Sequence, residues 1–400
     1  MIPSFRVAPP SAAQLAADPA APAIAWFAGD RERLQVATSA AGIGIDLTGD
    51  PARIVASRAE LARLLAALEA CQSPHAAALK RYLEPVPAWR LRTRSLSLEQ
   101  PIIMGILNLT DDSFSGDGVG ADVSRALARA GALREAGADL VDAGAETARA
   151  DRPVLDEAHE AALVGRVVSA LVREGHLVSI DTYKPAVARA ALEGGAEAVN
   201  DISGLTLGTE AAAEAQRAGA GYVLNYSYSV PKRRPDSPPH YGDVVIETVA
   251  WMDERLARLS ALGMPRESIV IDPGIAFGKS HDEDLQVIRR IGELATFGQP
   301  ILLAHSRKNF LGSVTGRHPA DRDLETHVAS VLAFAQGVRL FRVHDVAGTR
   351  RALEIAHAVA LSSPGDFAPD GQSWPWRAGA SAAHMTTASP DKEAPAGQRW

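Results

Sequence analysis

The chain alternates short apolar runs with amphipathic stretches from residue 101 onward. Eight apolar runs of strand length recur, and they are IIMGILNL, ADLVDAG, HLVSIDT, AEAVNDIS, GYVLNYS, SIVIDPG, PILLAHS and VRLFRVHDV. Stretches with apolar residues at helical spacing lie between them, such as VSRALARAGALREAG, and RRALEIAHAVAL follows the last run. Strands that alternate with helices in this way are typical of a parallel α/β sheet.

The number of these units selects among parallel folds. Eight strand–helix units over roughly 260 residues match a (β/α)8 TIM barrel, which typically takes about 250. A doubly wound open sheet is the alternative, but it usually has fewer strands and a Gly-x-Gly-x-x-Gly turn, which this sequence does not contain. We therefore predict the α/β class, with the barrel over residues 98–362.

The flanking segments differ from the barrel in composition. Residues 1–97 contain AIAWFAG, a strand-like LQVATSAAGIGIDL and two predicted helices, RAELARLLAALEACQ and SPHAAALKRYL. This order predicts a small α+β module of unknown role. Residues 363–400 are rich in Pro, Gly, Ser and Ala without periodicity, which predicts a disordered tail.

Composition and charge exclude several classes of protein. A net charge of −7 and the absence of a long basic run argue against general nucleic-acid binding. The single cysteine, Cys71, excludes a disulfide framework and a cysteine-based metal site. Because no run of about 18 apolar residues exists, we expect no membrane span and a soluble, cytoplasmic protein.

Polar side chains end each of the eight predicted strands. In a barrel of this kind the carboxyl ends of the strands meet at one mouth, which carries the active site. One Asp, Asn or Ser there is explained by capping of the next helix, but eight at one rim predict a ligand. They are Asn108, Asp142, Asp181, Asn200 with Asp201, Asn225, Asp272, Ser306, and Arg342 with His344.

One set of these residues suits a flat heterocycle. Asp181, Asn200 and Asp272 offer carboxylate and amide edges that match ring N–H, amino and carbonyl groups. Phe277, in GIAFGK, lies where its ring can stack on such a ligand or pack as a structural residue. These residues predict a ring-binding site on the middle strands.

A second set suits an anion and a metal ion. Arg342, His344 and Asn108 are of the residue types that bind phosphate and hard cations, and the last strands of barrels often hold phosphate. Lys308, in SRKNF, adds a second cation after the seventh strand. The long polar loops after the first two strands, TDDSFSGDGVG and ETARADRP, are suited to excluding water from a reaction.

Six motifs of the barrel segment occur together in the order and spacing of a known family. They are MGILNLTDDSFS (104–115), VDAGAETAR (141–149), IDTYKPAVARAALEGGAEAVNDISG (180–204), IDPGIAFGK (271–279), SRKNFLG (306–312) and FRVHDV (341–346). Over about residues 101–360 the chain resembles dihydropteroate synthase of the folate pathway. The N-terminal segment and the tail lie outside the resemblance.

The resemblance implies a transferase of folate biosynthesis and a sulfonamide target. Its substrates would be hydroxymethyl-dihydropterin diphosphate and p-aminobenzoate, and its products dihydropteroate and pyrophosphate. Mg²⁺ would be the cofactor, since neutralising the diphosphate lowers the barrier to C–O cleavage. A homodimer follows by family analogy, with neither nucleic acid nor membrane as a partner.

The resemblance also assigns roles to individual residues. The pterin site would comprise Asp181, Asn200, Asn225, Asp272, Phe277 and Lys308. The diphosphate site would comprise Asn108, Arg149, Arg342 and His344, with Asn108 also the Mg²⁺ ligand. The p-aminobenzoate site would comprise Ala148, Arg149, Phe277, Ser306 and Lys308. The catalytic set would be Asn108, Asp142, Asp181, Lys308, Arg342 and His344.

Two loops and one strand depart from the family pattern. In the first loop Asp111 replaces a usual Pro, and Gly116 and Asp117 stand in swapped order. In the second loop, Ala148 lacks a hydroxyl beside the expected position of the p-aminobenzoate carboxylate. On the fifth predicted strand, Asn225 replaces a Met that usually flanks the pterin ring. We hypothesise altered sulfonamide sensitivity, which normal inhibition in a turnover assay would contradict.

Three other functions remain open from the sequence. A pterin-dependent methyltransferase barrel shares the ring contacts but does not need Lys308, Arg342 and His344. A catalytically altered pterin-binding paralogue is supported by the loop departures, and complementation of a folate auxotroph separates it from the enzyme. A Schiff-base aldolase using Lys308 or Lys279 is disfavoured because charged neighbours such as Arg307 oppose a desolvated lysine.

Overall fold

The computed structural model of the chain describes residues 5–10, 21–110, 118, 122–146, 154–228 and 239–361. The predicted site residues Ala148 and Arg149 lie outside the described residues, as do the departures at Asp111, Gly116 and Asp117. The tail predicted over 363–400 also lies outside them. The predicted boundaries between module, barrel and tail stay predictions.

The N-terminal segment forms an antiparallel sheet with helices, as a small α+β module does. Its strands are β1 (Phe5–Ala8), β2 (Ala23–Phe27), β3 (Ile45–Asp46) and β4 (Ala52–Ala56), in the spatial order β1-β2-β4-β3. Its helices are α1 (Arg31–Ala41), α2 (Arg58–Ala70) and α3 (His75–Leu83). A separate apolar core unites their inner faces. A hairpin of β5 (Ala88–Arg90) and β6 (Ser95–Ser97) then leads toward the barrel.

One element of the module was predicted wrongly. The segment LQVATSAAGIGIDL was taken as a strand, but α1 covers its first eight residues and only Ile45–Asp46 is extended. The buried residues of α1 are Leu34, Ala37 and Thr38, which follow helical spacing. The β-branched residues suggested a strand, whereas the burial of one helical face decides the structure.

Eight parallel strands form the barrel, which confirms the predicted fold class. They are β7 (Ile102–Asn108), β8 (Leu140–Gly144), β9 (Val178–Asp181), β10 (Ala198–Asp201), β11 (Gly221–Asn225), β12 (Ile269–Asp272), β13 (Leu302–Leu303) and β14 (Leu340–Val343). Their order is β12-β11-β10-β9-β8-β7-β14-β13. A parallel bridge between Ile271 and Ile301 joins β12 to the residue before β13 and closes the sheet.

Helices surround the strands, and several begin at a capping side chain. They are α4 (Val123–Glu135), α5 (Glu157–Arg173), α6 (Pro185–Glu193), α7 (Glu210–Arg217), α8 (Val244–Ala261), α9 (His281–Arg289), α10 (Asn309–Thr315), α11 (Asp323–Phe334) and α12 (Val346–Leu361), with 3-10 segments at Arg266–Ser268, Ile291–Phe297 and Pro319–Asp321. Asp122, Asp156, Asp243 and Ser280 each accept first-turn backbone N–H groups. In the described part of the chain, every helix is too short or too polar to cross a membrane.

Side chains alternate between two cores along each barrel strand. Outward residues such as Ile103 and Ile180 join the layer packed against the helices, whereas Met104 belongs to a second cluster in the barrel interior. Trp89 of the hairpin completes the interior cluster and donates from Nε1 to the Ser268 carbonyl at 2.9 Å. The base of the barrel is therefore filled and apolar, which leaves the polar inward residues at the opposite end.

Candidate active site

Strand register places the predicted polar residues on the inner face of the barrel. Asn200 pairs with Val223 and Arg342 with Met104, and both apolar partners belong to the interior cluster. Asp181 lies opposite Asn200, so it shares that face. By the same two-residue alternation, Asn108, Asp142, Asn225 and Asp272 also face inward, as does Ser179 one layer below Asp181.

The adjacent Asp201 does not belong to the site, contrary to its prediction at the rim beside Asn200. It pairs in register with Leu224, which packs in the layer facing the helices. Its carboxylate accepts from the Ser203 backbone N–H at 2.8 Å and from the Tyr222 hydroxyl at 2.5 Å. The alternation of a strand sends neighbours to opposite faces, so Asp201 is a structural residue.

An arginine whose side chain is 17% exposed lies at the centre of the site. Arg342 donates from Nε to Asp142 Oδ2 at 2.6 Å and from Nη2 to Asp181 Oδ2 at 2.8 Å. Asn200 donates to the same Asp142 oxygen at 2.9 Å. Arg342 was predicted for the anion set, but its guanidinium is shared with the carboxylates at the ring-binding end. It therefore joins the two predicted sets into one network.

The environment of Asp181 places its titration near neutral pH. Burial raises the pKa of Asp181 to about 7, while the charge of Arg342 lowers it and that of Asp142 raises it. A carboxyl group with this pKa is present in both protonation states near neutral pH. It can therefore accept a hydrogen bond from a ring N–H or donate one to a ring nitrogen.

Lys308 and Asp272 occupy the next part of the mouth. Asp272 Oδ1 accepts from the Gly274 N–H at 2.7 Å, and burial raises its pKa while Lys308 opposes the shift. Lys308 donates to the Ile275 carbonyl at 2.7 Å, and its Nζ lies 4.9 Å from the centre of the Phe277 ring. Burial lowers the pKa of Lys308 to about 8, against the charge of Asp272. The structure thus places these three predicted residues together.

Ser306 and His344 lie in contact across the last two strand ends. His344 Nδ1 lies 2.9 Å from Ser306 Oγ, and the His344 backbone N–H donates to the same oxygen at 3.2 Å. The resemblance assigned His344 to the diphosphate and Ser306 to p-aminobenzoate. Their contact means that the two predicted subsites adjoin.

Asn225 and Asn108 present amides from two further strands. Asn225 is buried, and its Nδ2 donates to the carbonyls of Tyr226 at 2.7 Å and Ile202 at 3.4 Å. This orients Oδ1 as an acceptor, for which the described residues provide no donor. Asn108 ends β7 beside Gly144 of β8 and is half-buried.

The site also has oxygen ligands that suit a hard cation. Asp142 Oδ1 is buried without a hydrogen-bond partner among the described residues, and the Asn108 side-chain amide supplies a second oxygen on the neighbouring strand. No group of three or more His, Cys, Asp or Glu residues within the described ranges is arranged to hold a metal ion. This donor set fits Mg²⁺, which is often bound by one or two protein oxygens with substrate phosphate and water.

Sequence reasoning missed a buried ion network directly after β9. Lys184 donates to Glu146 at 2.6 Å, to Glu160 at 2.5 Å and to the Leu155 carbonyl at 2.9 Å. Tyr183 donates from its hydroxyl to Glu146 at 2.6 Å. The signal was a lysine three residues beyond Asp181, directly before a helix that buries its neighbours. Lysine is rarely buried unless it is paired.

The fold and the site define an α/β-barrel enzyme with a polar ligand site at the mouth. The family model described as "Pterin binding enzyme" matches residues 104–344. The chain belongs to this family.

Its relatives narrow the assignment within the family. Dihydropteroate synthase of Mycobacterium leprae is 36% identical over 275 residues, covering 67% of this chain and 97% of that protein. A probable bifunctional folylpolyglutamate synthase/dihydropteroate synthase of Haloferax volcanii is 35% identical over 272 residues, but the chain spans only 32% of its length. The chain groups with the dihydropteroate synthases, which are transferases of folate biosynthesis.

Solved structures agree with these sequence relatives. The Yersinia pestis dihydropteroate synthase in complex with a sulfonamide drug has a TM-score of 0.64 at 33% identity, covering 68% of this chain and 98% of that chain. The Thermus thermophilus dihydropteroate synthase in complex with 4-aminobenzoate has a TM-score of 0.61 at 35% identity, covering 68% and 99%.

Replacement of the central arginine tests the charge network. We expect Arg342→Met to lower the free energy of unfolding by about 3–5 kcal/mol, because the buried carboxylates of Asp142 and Asp181 lose their cation. It should also raise the pKa of Asp181 further, since Arg342 lowers it. Urea unfolding and carboxyl NMR titration measure the two effects. Arg317→Met, at an exposed arginine, is the control, and equal stability of the two variants would contradict the network.

Proposed function

We propose that the chain condenses hydroxymethyl-dihydropterin diphosphate with p-aminobenzoate, giving dihydropteroate and pyrophosphate. The observation that carries the proposal is the buried network of Arg342 with Asp142, Asp181 and Asn200, which gives the barrel mouth fixed donors and acceptors. The relatives named dihydropteroate synthase supply the reaction that such a mouth fits.

The heterocycle is bound by the inward residues of consecutive strands. Asp181 and Asn200 are register partners on β9 and β10, and Asn225 and Asp272 are register partners on β11 and β12. The adjacent strands present an arc of carboxylate and amide groups, which match the donor and acceptor edge of a pterin. The apolar cluster beneath the arc excludes water from the inner side of the ring.

The charged tail of the pterin substrate is bound at the opposite side of the mouth. Asn108 ends β7 and His344 directly follows the neighbouring strand β14, on which Arg342 is the inward residue two positions earlier. Arg149 is proposed to bind the same group from the second loop. Mg²⁺, when bound, would supply positive charge to the leaving pyrophosphate, and Asn108 is the proposed ligand with Asp142 beside it.

The arylamine is bound next to the carbon that it attacks. Lys308, Phe277 and Ser306 border this subsite, and Lys308 is held by its bond to the Ile275 carbonyl. Ala148 is proposed to line it from the second loop. Departure of pyrophosphate leaves an electron-poor methylene carbon that the amine nitrogen attacks, and the amine proton is released afterwards. These residues bind and orient both partners, so a covalent nucleophile is not required.

The chain is also proposed to be cytoplasmic and to form a homodimer. Support for the dimer comes from an exposed apolar stripe on α11, where Leu324, Val328 and Leu332 are 71%, 52% and 56% exposed at helical spacing. α12, which carries the exposed Ile355, contacts α11 through the rings of Phe334 and His357. Apolar faces of this kind mark association surfaces in proteins.

Pyrophosphate release tests the proposed reaction. We expect the purified chain with Mg²⁺ and the pterin diphosphate to release pyrophosphate only after p-aminobenzoate is added. Lys308→Met should lower kcat/KM by about a hundredfold or more, because it removes a fixed cation from the mouth. The exposed cation variant Arg317→Met should retain wild-type turnover.

Two results of this assay would contradict the proposal. Pyrophosphate release that does not depend on the arylamine would indicate hydrolysis instead of condensation. Binding of the pterin without any turnover would instead indicate a catalytically altered paralogue, since the ring site would then be intact.

Asn225 provides a test of the ring site alone. We expect Asn225→Met to weaken binding of 6-hydroxymethylpterin by about tenfold, because one buried acceptor is lost. Calorimetric titration measures the dissociation constant. The matched variant is Asn225→Asp, which keeps an acceptor oxygen at the same place. Equal affinity of wild type and Asn225→Met would show that the amide does not contact the ring.

A further inference from the structure

The segment Pro273–Lys279, which carries Phe277, is held by three charged side chains. Lys308 donates to the Ile275 carbonyl, and Lys279 donates to the carbonyls of Pro273 at 2.9 Å and Gly274 at 3.2 Å. The third side chain is Asp284 of α9, whose Oδ1 accepts from the Ala276 N–H at 2.8 Å. Two cations and one anion thus hold a single turn of chain at the barrel mouth.

Ala276 is the residue of this turn that most needs an external partner. Its φ is 67°, in the left-handed region that costs a residue with a Cβ about 1 kcal/mol or more. Its side chain is exposed, so packing of the methyl group contributes little to holding the conformation. The bond to Asp284 fixes the peptide between Ile275 and Ala276, and the Phe277 N–H in turn donates to the Gly274 carbonyl at 3.0 Å, so the turn that carries the Phe277 ring is held from both sides.

Asp284 itself is enclosed within the protein. It is fully buried in the first turn of α9, and its Oδ2 has no hydrogen-bond partner among the described residues. A buried carboxylate with one unpaired oxygen is costly unless cations lie nearby. Lys308 supplies such a charge, and His281 adds to it from the same helix. Lys279 contributes as well, and because burial lowers the pKa of Lys279 to about 7, its contribution is largest below neutral pH.

We infer that Asp284 is a positioning residue for the arylamine subsite: it holds the Ala276 turn, which carries Phe277 next to the Lys308 ammonium group. The inference rests on the proposed function, which assigns Phe277 and Lys308 to that subsite. Asp284 makes no contact with substrate in this account and acts through these two residues.

The charges around both groups give the sign of the effect. Burial raises the pKa of Asp284 to about 6, and the Ala276 bond, Lys279, Lys308 and His281 oppose the shift. Around Lys308 the charges of Asp272, Asp284 and Asp181 raise the pKa, while burial and Arg342 lower it. Loss of the Asp284 charge must therefore lower the pKa of Lys308 below its value of about 8.

Two substitutions separate the geometry from the charge. Asp284→Asn keeps an oxygen for the Ala276 N–H but removes the negative charge, whereas Asp284→Ala removes both. Asp282→Asn makes the same chemical change at an exposed residue of the same turn and is the matched control. Thermal unfolding of each variant establishes that it is folded before kinetics are measured.

We expect the alkaline limb of kcat/KM for p-aminobenzoate to move to lower pH by about half a unit or more in Asp284→Asn. Below pH 6 the difference from wild type should vanish, because Asp284 is then protonated in wild type as well. Asp284→Ala should also raise KM for p-aminobenzoate by about tenfold at every pH, while the affinity for 6-hydroxymethylpterin changes less than threefold.

A pH profile of Asp284→Asn that coincides with those of wild type and Asp282→Asn would overturn the inference. If Asp284→Ala does not fold, the profile of Asp284→Asn alone decides. Absence of arylamine-dependent turnover in wild type would instead contradict the proposed function, so the two failures are distinguishable.

Discussion

The buried contact of Arg342 with Asp142 and Asp181 is the interaction on which the barrel mouth depends. Three charges lie directly above an apolar interior, where each would be costly alone. Together they balance to one net negative charge when both carboxyls are ionised. Burial raises the pKa of Asp181 to about 7 in spite of the adjacent guanidinium, and the negative charge of Asp142 adds to the shift.

This constraint follows from how the barrel divides its interior. The hairpin residue Trp89 fills the base, and Gly221 makes room for it, since a Cβ there would lie 3.0 Å from Trp89 Nε1. With the base closed, the inward positions above it are the ones that remain for a ligand. The polar groups available to a ligand are therefore concentrated in one layer of side chains, and the segment Pro273–Lys279 borders that layer at the end of β12.

Much of this arrangement was predictable, because strand alternation is a local rule. The eight strands, their polar ends and the ring set of Asp181, Asn200 and Asp272 all follow from periodicity within a few residues. The same rule, applied strictly, would have excluded Asp201, which directly follows Asn200. The prediction of a strand rested on β-branched residues such as Val36, which is exposed, whereas the burial of Leu34, Ala37 and Thr38 on one helical face decided the structure.

Contacts between distant residues were not predictable from the sequence. Arg342 bonds to Asp142, 200 residues away in the sequence, and to Asp181, 161 residues away. No local pattern indicates that the guanidinium of Arg342, predicted to bind an anion of the substrate, also binds these two carboxylates. The burial of Lys184 and Asp284 was hidden for the same reason, since a charged residue near a helix start is normally solvated. Their roles depend on partners that only the closed barrel brings together.

A crystal structure of the chain with bound 6-hydroxymethylpterin tests the central claim most directly. The account predicts the ring inside the barrel mouth, with its polar edge within hydrogen-bond distance of Asp181, Asn200 and Asp272, above the intact contact of Arg342 with Asp142. Ring density outside the mouth, or a ring that touches none of these three side chains, would contradict it.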